Sequence, residues 1–349
     1  MTGLLPTLRE KYFSSKWNTL ISLLSLAIII YAVWLILDWS IISATFGSAG
    51  PDACRSVPGA CWNVIAARWR MILFGLYPYA EQWRTAVASV VVIIMMSVSC
   101  MPSFWKLRRI LLLWICGTAA FYILMKGGIF GLPQVDEGDW GGLTLTLFIF
   151  VAVTVIGMPL ALVLALMRRS RLPLVSLITA GIIDTVRSLP LLAILFTFTF
   201  MLPLVTPGWM NGDKLYRAII GAALYLGAYQ SENIRSGIQT VSRGQEEAAK
   251  SLGLGYWHCM SRVVLPQAFK YAMPALVNRF VIIFKETSLF LVIGFFGLLA
   301  SGNLAYASGG WGAQYVEVFF FVALIYFVFV FSLSRYGAFL ERRLSKGQR

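Results

Sequence analysis

Ionisable side chains occur within long apolar stretches of this sequence, and their chemistry suits the binding or movement of a charged solute. These residues are Asp184, Arg187, Glu232, Arg235, Arg279, Lys285, Glu286 and Glu317. A charge inside a membrane is costly, so such residues line a wet cavity, pair with one another or relay protons. Lys285 and Glu286, followed by Thr287 and Ser288, could meet the negative and positive groups of such a solute. They could equally form an ion-paired cluster that fixes helix register.

Residues suited to catalysis or metal binding are few and scattered. His258 is the only histidine, and the sequence contains no Gly-Lys pair of the kind that a phosphate-binding loop requires. The five cysteines lack metal-ligand spacing, so we expect no catalytic site, no metal site and no cofactor in this chain. Cys54 and Cys61 flank Pro58-Gly59, a dipeptide typical of a type II turn, and could form a disulfide or remain free thiols.

The elements that position these charges are membrane spans. Of the 349 residues 59% are hydrophobic and only 13% are charged, with a mean hydropathy of +0.77; soluble domains carry about 25% charged residues. Eight apolar segments reach or approach the ~20 residues that cross a bilayer as a helix, whereas barrel strands would alternate. We therefore expect an all-α polytopic bundle. The predicted spans are Thr19–Leu37, Thr85–Met101, Ile110–Met125, Leu143–Met167, Val175–Leu202, Ala218–Ile238, Ala275–Ala300 and Val316–Arg335.

The formal charge of +14 reflects how the chain is oriented in the membrane. Most of the 29 lysines and arginines fall in the termini and in alternate loops, which places both termini in the cytoplasm by the positive-inside rule. The charge therefore does not indicate nucleic-acid binding. The longest outside loop spans about 38–84, and within it Trp62–Gly75 predicts a helix with one apolar face. That helix could lie flat on the membrane or pack against neighbouring spans.

One inside connection, at about 239–270, is much longer than the other inside loops. Ser242 and Gln245 form a capping-box pattern that predicts a helix start, and Gly253 is suited to a left-handed helix end. A second helix should run from about Tyr256 to Leu265, because Pro266 cannot continue its hydrogen bonding. A structured helical loop that is continuous with two spans is suited to transmitting movement from a soluble partner.

The spacing of residue types within this loop resembles that of a known family. Glu247-Ala248-Ala249, Gly253 and Val263-x-Leu265-Pro266 together resemble the EAA loop of permease subunits of ATP-binding-cassette (ABC) importers. Segments 184–191, 229–238 and 285–289 resemble the polar amino-acid uptake branch of that family. In these segments Ser188 and Ser236 replace the usual glycines, and Glu286 replaces the usual aspartate.

This resemblance implies a five-helix type I importer permease core over 140–343, with the EAA coupling loop at about 239–270. Residues 1–139 would be an extension with three spans, similar to the longer permease subunit of general L-amino-acid transporters, and 344–349 a basic tail. The motif residues Glu247, Ala248, Ala249, Gly253, Val263, Leu265 and Pro266 would couple the permease to an ATPase. The implied partners are a second, shorter permease chain, two ATPase subunits that bind ATP and Mg, a periplasmic amino-acid-binding protein and membrane lipid.

These features predict a permease subunit of an ATP-driven amino-acid importer in the bacterial inner membrane. It would form half of the translocation pathway, work by alternating access and have no ATPase site of its own. Candidate pathway or gate residues are Lys285, Glu286, Thr287, Ser288, Glu232, Arg235 and Arg187, although Arg187 and Glu232 could be structural. The alternative is an ion-coupled secondary amino-acid transporter, which would use the intramembrane acids as proton relays and would usually show repeated halves.

Overall fold

The computed structural model describes residues 11–55, 57–104 and 106–345, and within these ranges the chain folds into helices without β-strands. The predicted all-α class is confirmed. The N-terminal residues 1–10 and the tail residues 346–349 lie outside the described residues. The α-helices are α1 (Lys16–Leu37), α2 (Asn63–Phe74), α3 (Gln82–Ser99), α4 (Leu107–Lys126), α5 (Gly142–Arg168), α6 (Pro173–Ser188), α7 (Leu191–Phe196), α8 (Leu202–Val205), α9 (Lys214–Thr240), α10 (Arg243–Ser251), α11 (Tyr256–Cys259), α12 (Leu265–Glu286), α13 (Leu298–Ala307) and α14 (Tyr315–Ser345).

Five helical stretches in the described part are long and apolar enough to cross a membrane. They are Lys16–Ile42, Tyr79–Ser99, Arg108–Lys126, Gly142–Arg168 and Tyr315–Arg343. A sixth candidate is the bent pair Pro173–Ser188 and Leu191–Val205. The other two predicted spans correspond to α9 and α12, which do not reach the same combination of length and apolarity, so the predicted number of eight is approximate.

The predicted span at Val175–Leu202 is bent and is not one continuous helix. α6 ends at Ser188, Leu189 is extended, and the helix resumes at Leu191 after a bend of 107°. The cause is Pro190, because the residue before a proline is pushed out of the helical region. Pro159, by contrast, lies inside the continuous helix α5.

The predicted span at Ala275–Ala300 also has different bounds. α12 begins at Leu265 and ends at Glu286, followed by a 3-10 turn at Thr287–Leu291. The chain then returns to the start of α5, where the Gly142 N–H donates to the Phe296 carbonyl oxygen at 2.8 Å. Gly142 has a φ of +62° there, and an added Cβ would lie 2.2 Å from the Leu73 carbonyl, so only glycine fits this close approach.

Pro266 does not end the second helix of the coupling loop, contrary to the prediction. α11 continues through a π turn at Met260–Val264 directly into α12, where Pro266 lies in the first turn. The wider turn accommodates the missing proline N–H, as π bulges commonly do. The coupling loop is therefore continuous with α12.

α9 packs against both α5 and α12. Its buried small residues Ala222, Ala223 and Ala228 allow neighbouring helices to approach closely, as is common between membrane helices. The buried Gln230 amide of α9 donates to the Leu276 carbonyl oxygen of α12 at 3.1 Å. α9 thus carries its polar residues within a well-packed helical group.

The described residues form two compact units by their contacts, one comprising 11–69 and 305–318 and the other 70–304 and 319–345. The division into an extension, a core and a tail stays a prediction. In the first unit a disulfide joins Cys54 to Cys61 over a Cα–Cα distance of 5.6 Å. The Cys61 N–H also donates to Glu317 Oε1 at 2.8 Å, so the outside loop is attached to the start of α14.

The segment Trp62–Gly75 forms helix α2, as its periodicity predicts. Val64 and Ile72 are fully buried, whereas Trp69 is exposed. Of the two alternatives left by the sequence, the burial of Val64 and Ile72 favours packing over a helix lying flat on the membrane.

Candidate coupling loop and translocation site

The first helix of the coupling loop, α10, begins after Ser242 and ends at Ser251, and Gly253 lies in the turn that follows. Gly253 has a φ of +76°, its N–H donates to the Lys250 carbonyl at 2.9 Å, and the Leu254 N–H donates to the Ala249 carbonyl at 3.1 Å. This pair of bonds is a Schellman motif, which requires the left-handed residue that the sequence predicts here. The capping-box prediction is wrong in part, since the Ser242 side chain makes no capping hydrogen bond.

The Glu247-Ala248-Ala249 run is divided between two faces of α10. Glu247 and Ala248 are exposed, whereas Ala249 is 4% exposed and packs in a cluster that includes Ile238 and Val264. Because successive helical residues point about 100° apart, three adjacent residues cannot all face the same partner. Ala249 therefore holds α10 against the rest of the chain, and contact of the motif with an ATPase stays a prediction.

The apolar residues at the end of the motif also hold the loop against the rest of the chain. Val263 and Leu265 are half-buried and pack against the cluster around Ala249, whereas Pro266 is exposed. Leu252, in the turn after α10, is exposed to 82%. The outward surface of the loop is therefore formed by Glu247, Ala248 and the turn rather than by the whole motif.

An ion pair connects α10 to the end of α5. Glu246 accepts hydrogen bonds from Arg169 Nη2 and, at 3.1 Å, from Lys250 Nζ. Lys250 first, and then Arg169, hold the pKa of the Glu246 carboxyl below its usual value, although burial opposes this shift. Glu246 therefore stays ionised and links the coupling helix to α5 at neutral pH.

Glu232 is the centre of a charged cluster formed by α5, α6 and α9. Its side chain is 13% exposed and contacts Arg168 Nη1 at 2.9 Å, Arg235 Nη2 at 2.8 Å and Arg187 Nη1 at 3.8 Å. Arg168 also pairs with Asp184 at 3.0 Å. The structure thus brings together Arg187, Glu232 and Arg235, three of the predicted pathway or gate residues, in an ion-pair network.

A second charged group lies between α9 and α12. The Arg279 guanidinium carbon is 3.9 Å from the ring centroid of Tyr229 and 4.7 Å from that of Tyr225, and Nη2 is 3.7 Å from Glu286 Oε2. Arg279 Nε and Nη2 and Glu286 Oε2 are buried and make no hydrogen bond within the described part of the chain. This site therefore retains unused donors and an unused acceptor beside two aromatic rings, a combination that suits a zwitterion.

The other residues of the predicted polar stretch differ in accessibility. Lys285 is exposed, whereas Thr287 is buried and its hydroxyl donates to the Phe284 carbonyl oxygen at 2.6 Å. The Ser288 hydroxyl donates to the Lys285 carbonyl oxygen at 2.8 Å. Lys285 and Ser288 also line an open, mostly apolar groove of about 420 Å³. The two hydroxyls thus stabilise the end of α12, and Lys285 is the accessible charge of the stretch.

The pathway or gate residues predicted from the sequence did not include Arg168, Tyr225 and Tyr229, and Arg279 was identified only as a charge within a span. Arg168 was treated as a loop cation that determines topology. Tyr225 and Tyr229 are four residues apart and therefore share a face of α9, which was an available signal. Within the described residues no group of three or more His, Cys, Asp or Glu side chains is arranged to hold a metal ion.

Residues 157–346 match the family described as the binding-protein-dependent transport system inner membrane component. Since this match covers more than half of the chain, the protein belongs to that family. The chain is a membrane-spanning permease and has the type I importer fold.

Two relatives match along almost the whole chain. The inner membrane amino-acid ABC transporter permease protein YhdY of Escherichia coli is 38% identical over 97% of this chain and 93% of its own length. The glutamate/glutamine/aspartate/asparagine transport system permease protein BztC of Rhodobacter capsulatus is 30% identical over 99% and 95%. A crystal structure of an amino acid ABC transporter with histidines has a TM-score of 0.52 and 34% identity, covering 58% of this chain and 92% of that one. The chain is therefore an amino-acid ABC transporter permease subunit.

Proposed function

We propose that this permease couples ATP hydrolysis by separate ATPase subunits to amino-acid import by alternating access. It would pair with a second, shorter permease chain and receive substrate from a periplasmic binding protein. ATP and Mg would be held by the ATPase partners, with no cofactor in this chain. Both termini would face the cytoplasm, in agreement with the distribution of lysine and arginine.

The observation that carries the proposal is the geometry of the coupling loop. Glu247, Ala248 and the Gly253 turn face outward, whereas Ala249 packs inward and Glu246 is paired with Arg169. α11 also continues into α12 without a break. A push on the exposed surface would therefore be transmitted to α5 and α12, since packed helices move as rigid elements.

The site that supports amino-acid passage is the pair Arg279 and Glu286, next to the accessible Lys285. A substrate carboxylate could accept from the unused Arg279 donors, and a substrate ammonium could donate to Glu286 Oε2. The network around Glu232 lies between α5, α6 and α9 and would act as a gate. Its ion pairs would have to separate when these helices move apart.

Reconstitution tests the mechanism. The chain would be purified with its permease, ATPase and binding-protein partners, placed in vesicles and supplied with a labelled mixture of amino acids. We expect uptake only with hydrolysable ATP on the ATPase side and binding protein on the other. Uptake by this chain alone, driven by a proton gradient, would instead support the secondary-transporter alternative.

Glu286→Gln tests the substrate path within the same assay. Loss of one charge-assisted contact should lower uptake by about tenfold, with the ATPase subunits still bound. Glu341→Gln is the matched control, because Glu341 is an exposed acid on α14. Equal uptake by the two variants would contradict a role for Glu286 in passage.

A further inference from the structure

A half-open cavity of about 580 Å³ lies between α6, the end of α9 and the start of α10. Four arginines line it, together with a single acid: Arg168, Arg169, Arg235, Arg243 and Glu246. Its volume is in the range of small-molecule sites. The strong excess of cations on its walls makes it a candidate site for an anion.

The charges of these arginines are only partly neutralised. Arg168, Arg187 and Arg235 share the carboxylates of Glu232 and Asp184, and Arg169 shares Glu246 with Lys250. Arg243 is exposed and makes no ion pair among the described residues. The side chains of Arg168, Arg169 and Arg235 are 21%, 32% and 31% exposed, so their guanidinium groups remain reachable from the cavity.

The arginines approach from three helices: Arg168 is the last residue of α5 and Arg169 directly follows it, Arg235 lies on α9, and Arg243 begins α10. A carboxylate presents two oxygens in one plane, whereas a phosphate presents several oxygens in different directions. Guanidinium forks match phosphate geometry and bind it in a bidentate manner. We propose that this cavity binds a phosphate group and that the bound phosphate joins α5, α9 and α10.

The position of the cavity at the end of a membrane span indicates how a phosphate would reach it. α5 is a membrane span whose last residue, Arg168, lines the cavity, so the cavity lies near the depth of lipid headgroups. Ser176 of α6 also lines it, and the adjacent Leu177 and Ile178 are exposed to 71% and 53%. A phospholipid could place its phosphate among the arginines and its acyl chains along α6, as basic pockets between membrane helices do. Free inorganic phosphate shares the same recognition chemistry.

The test measures binding to the assembled complex in detergent by native mass spectrometry, with phosphatidylglycerol and phosphatidylcholine as probes. We expect phosphatidylglycerol to be retained and Arg243→Gln to weaken its retention about tenfold. Arg108→Gln is the matched control, because Arg108 is an exposed cation at the start of another span, α4, and does not line the cavity. Arg243→Lys keeps the charge without the fork and should weaken retention less than Arg243→Gln.

Competition identifies the source of the phosphate. If millimolar inorganic phosphate displaces phosphatidylglycerol, or binds in its place in an Arg243-dependent way, the cavity recognises free phosphate. If it does not compete and only phosphatidylglycerol depends on Arg243, the ligand is a lipid headgroup. Equal retention by Arg243→Gln and Arg108→Gln, or no retention of phosphatidylglycerol together with no Arg243-dependent binding of inorganic phosphate, would overturn the proposal. Because binding is read without transport, this outcome is independent of the proposed import function.

Discussion

Gly253→Val should separate ATP hydrolysis from amino-acid uptake. The φ of +76° at Gly253 lies in the left-handed region, where a residue with a side chain costs ~1–2 kcal/mol. An added Cβ would meet no atom within 4 Å, so this cost is conformational and involves no collision. A penalty of that size changes the equilibrium constant between the native and alternative conformations of the loop by about 5- to 30-fold. The Schellman bonds of Gly253 and Leu254 would be lost in the alternative conformations.

Gly255→Ala provides a matched control two residues away. Gly255 has a φ of −65°, which any residue adopts, and an added Cβ there also meets nothing within 4 Å. Gly253→Asn should behave as an intermediate, because asparagine tolerates the left-handed region better than other residues with side chains.

The assay measures uptake per ATP hydrolysed in vesicles that contain the complete transporter. We expect Gly253→Val to retain ATP hydrolysis but to lose at least fivefold in uptake per ATP, and Gly255→Ala to match the parent protein. Co-purification of the ATPase subunits with both variants verifies assembly. Equal uptake per ATP in Gly253→Val and Gly255→Ala would refute the role of this turn in coupling.

Three further outcomes follow from charges and thiols. Glu232→Gln leaves three guanidinium groups around a neutral amide and should cost about 3 kcal/mol of stability. Asp184→Asn, at a carboxylate that is 58% exposed, should cost under ~1 kcal/mol. Thermal unfolding in detergent compares the two variants, and equal shifts in their unfolding temperatures would contradict this reasoning. Because the folded pKa of Glu246 is lowered, its stabilisation of α10 is complete above the ordinary glutamate pKa and is lost as the pH falls through the lower folded value. Hydrogen exchange of residues 243–251, corrected for intrinsic rates, should therefore accelerate below about pH 4, and an identical acceleration in Glu246→Gln would disprove the link. Cys54 and Cys61 should resist alkylation without reductant, and modification of both thiols would show that they are not bridged.

The prediction of secondary structure within 239–270 succeeded where the controlling interactions are local. Gly253 ends α10 in the left-handed region because no neighbouring side chain is needed to impose that conformation. Prediction failed at Pro266 for a different reason. A proline breaks the helix at Pro190 but is accommodated by a π turn at Pro266, and the surrounding chain decides which occurs.

In the candidate site, too, local features could be predicted from the sequence and long-range contacts could not. Intramembrane charges could be identified from the sequence because their energetic cost depends on the apolar residues around them. Their partners could not, because Glu232 meets Arg168 across 64 positions of sequence and Arg279 meets Tyr229 across 50. Similarly, the inward position of Ala249 depends on Val264 and Ile238, which are brought to it by the fold.

By itself, the sequence determined that this protein is an all-α membrane protein with a helical inside loop at about 239–270, because span length, charge distribution and turn chemistry are properties of short segments; its resemblance to importer permeases rested on motif spacing. Only the tertiary structure decided which charges meet and which face of α10 is outward. It also decided that arginines of α5, α9 and α10 share one cavity. Those features depend on helix packing, in which residues far apart in sequence become neighbours only after the bends and crossings of the chain are established.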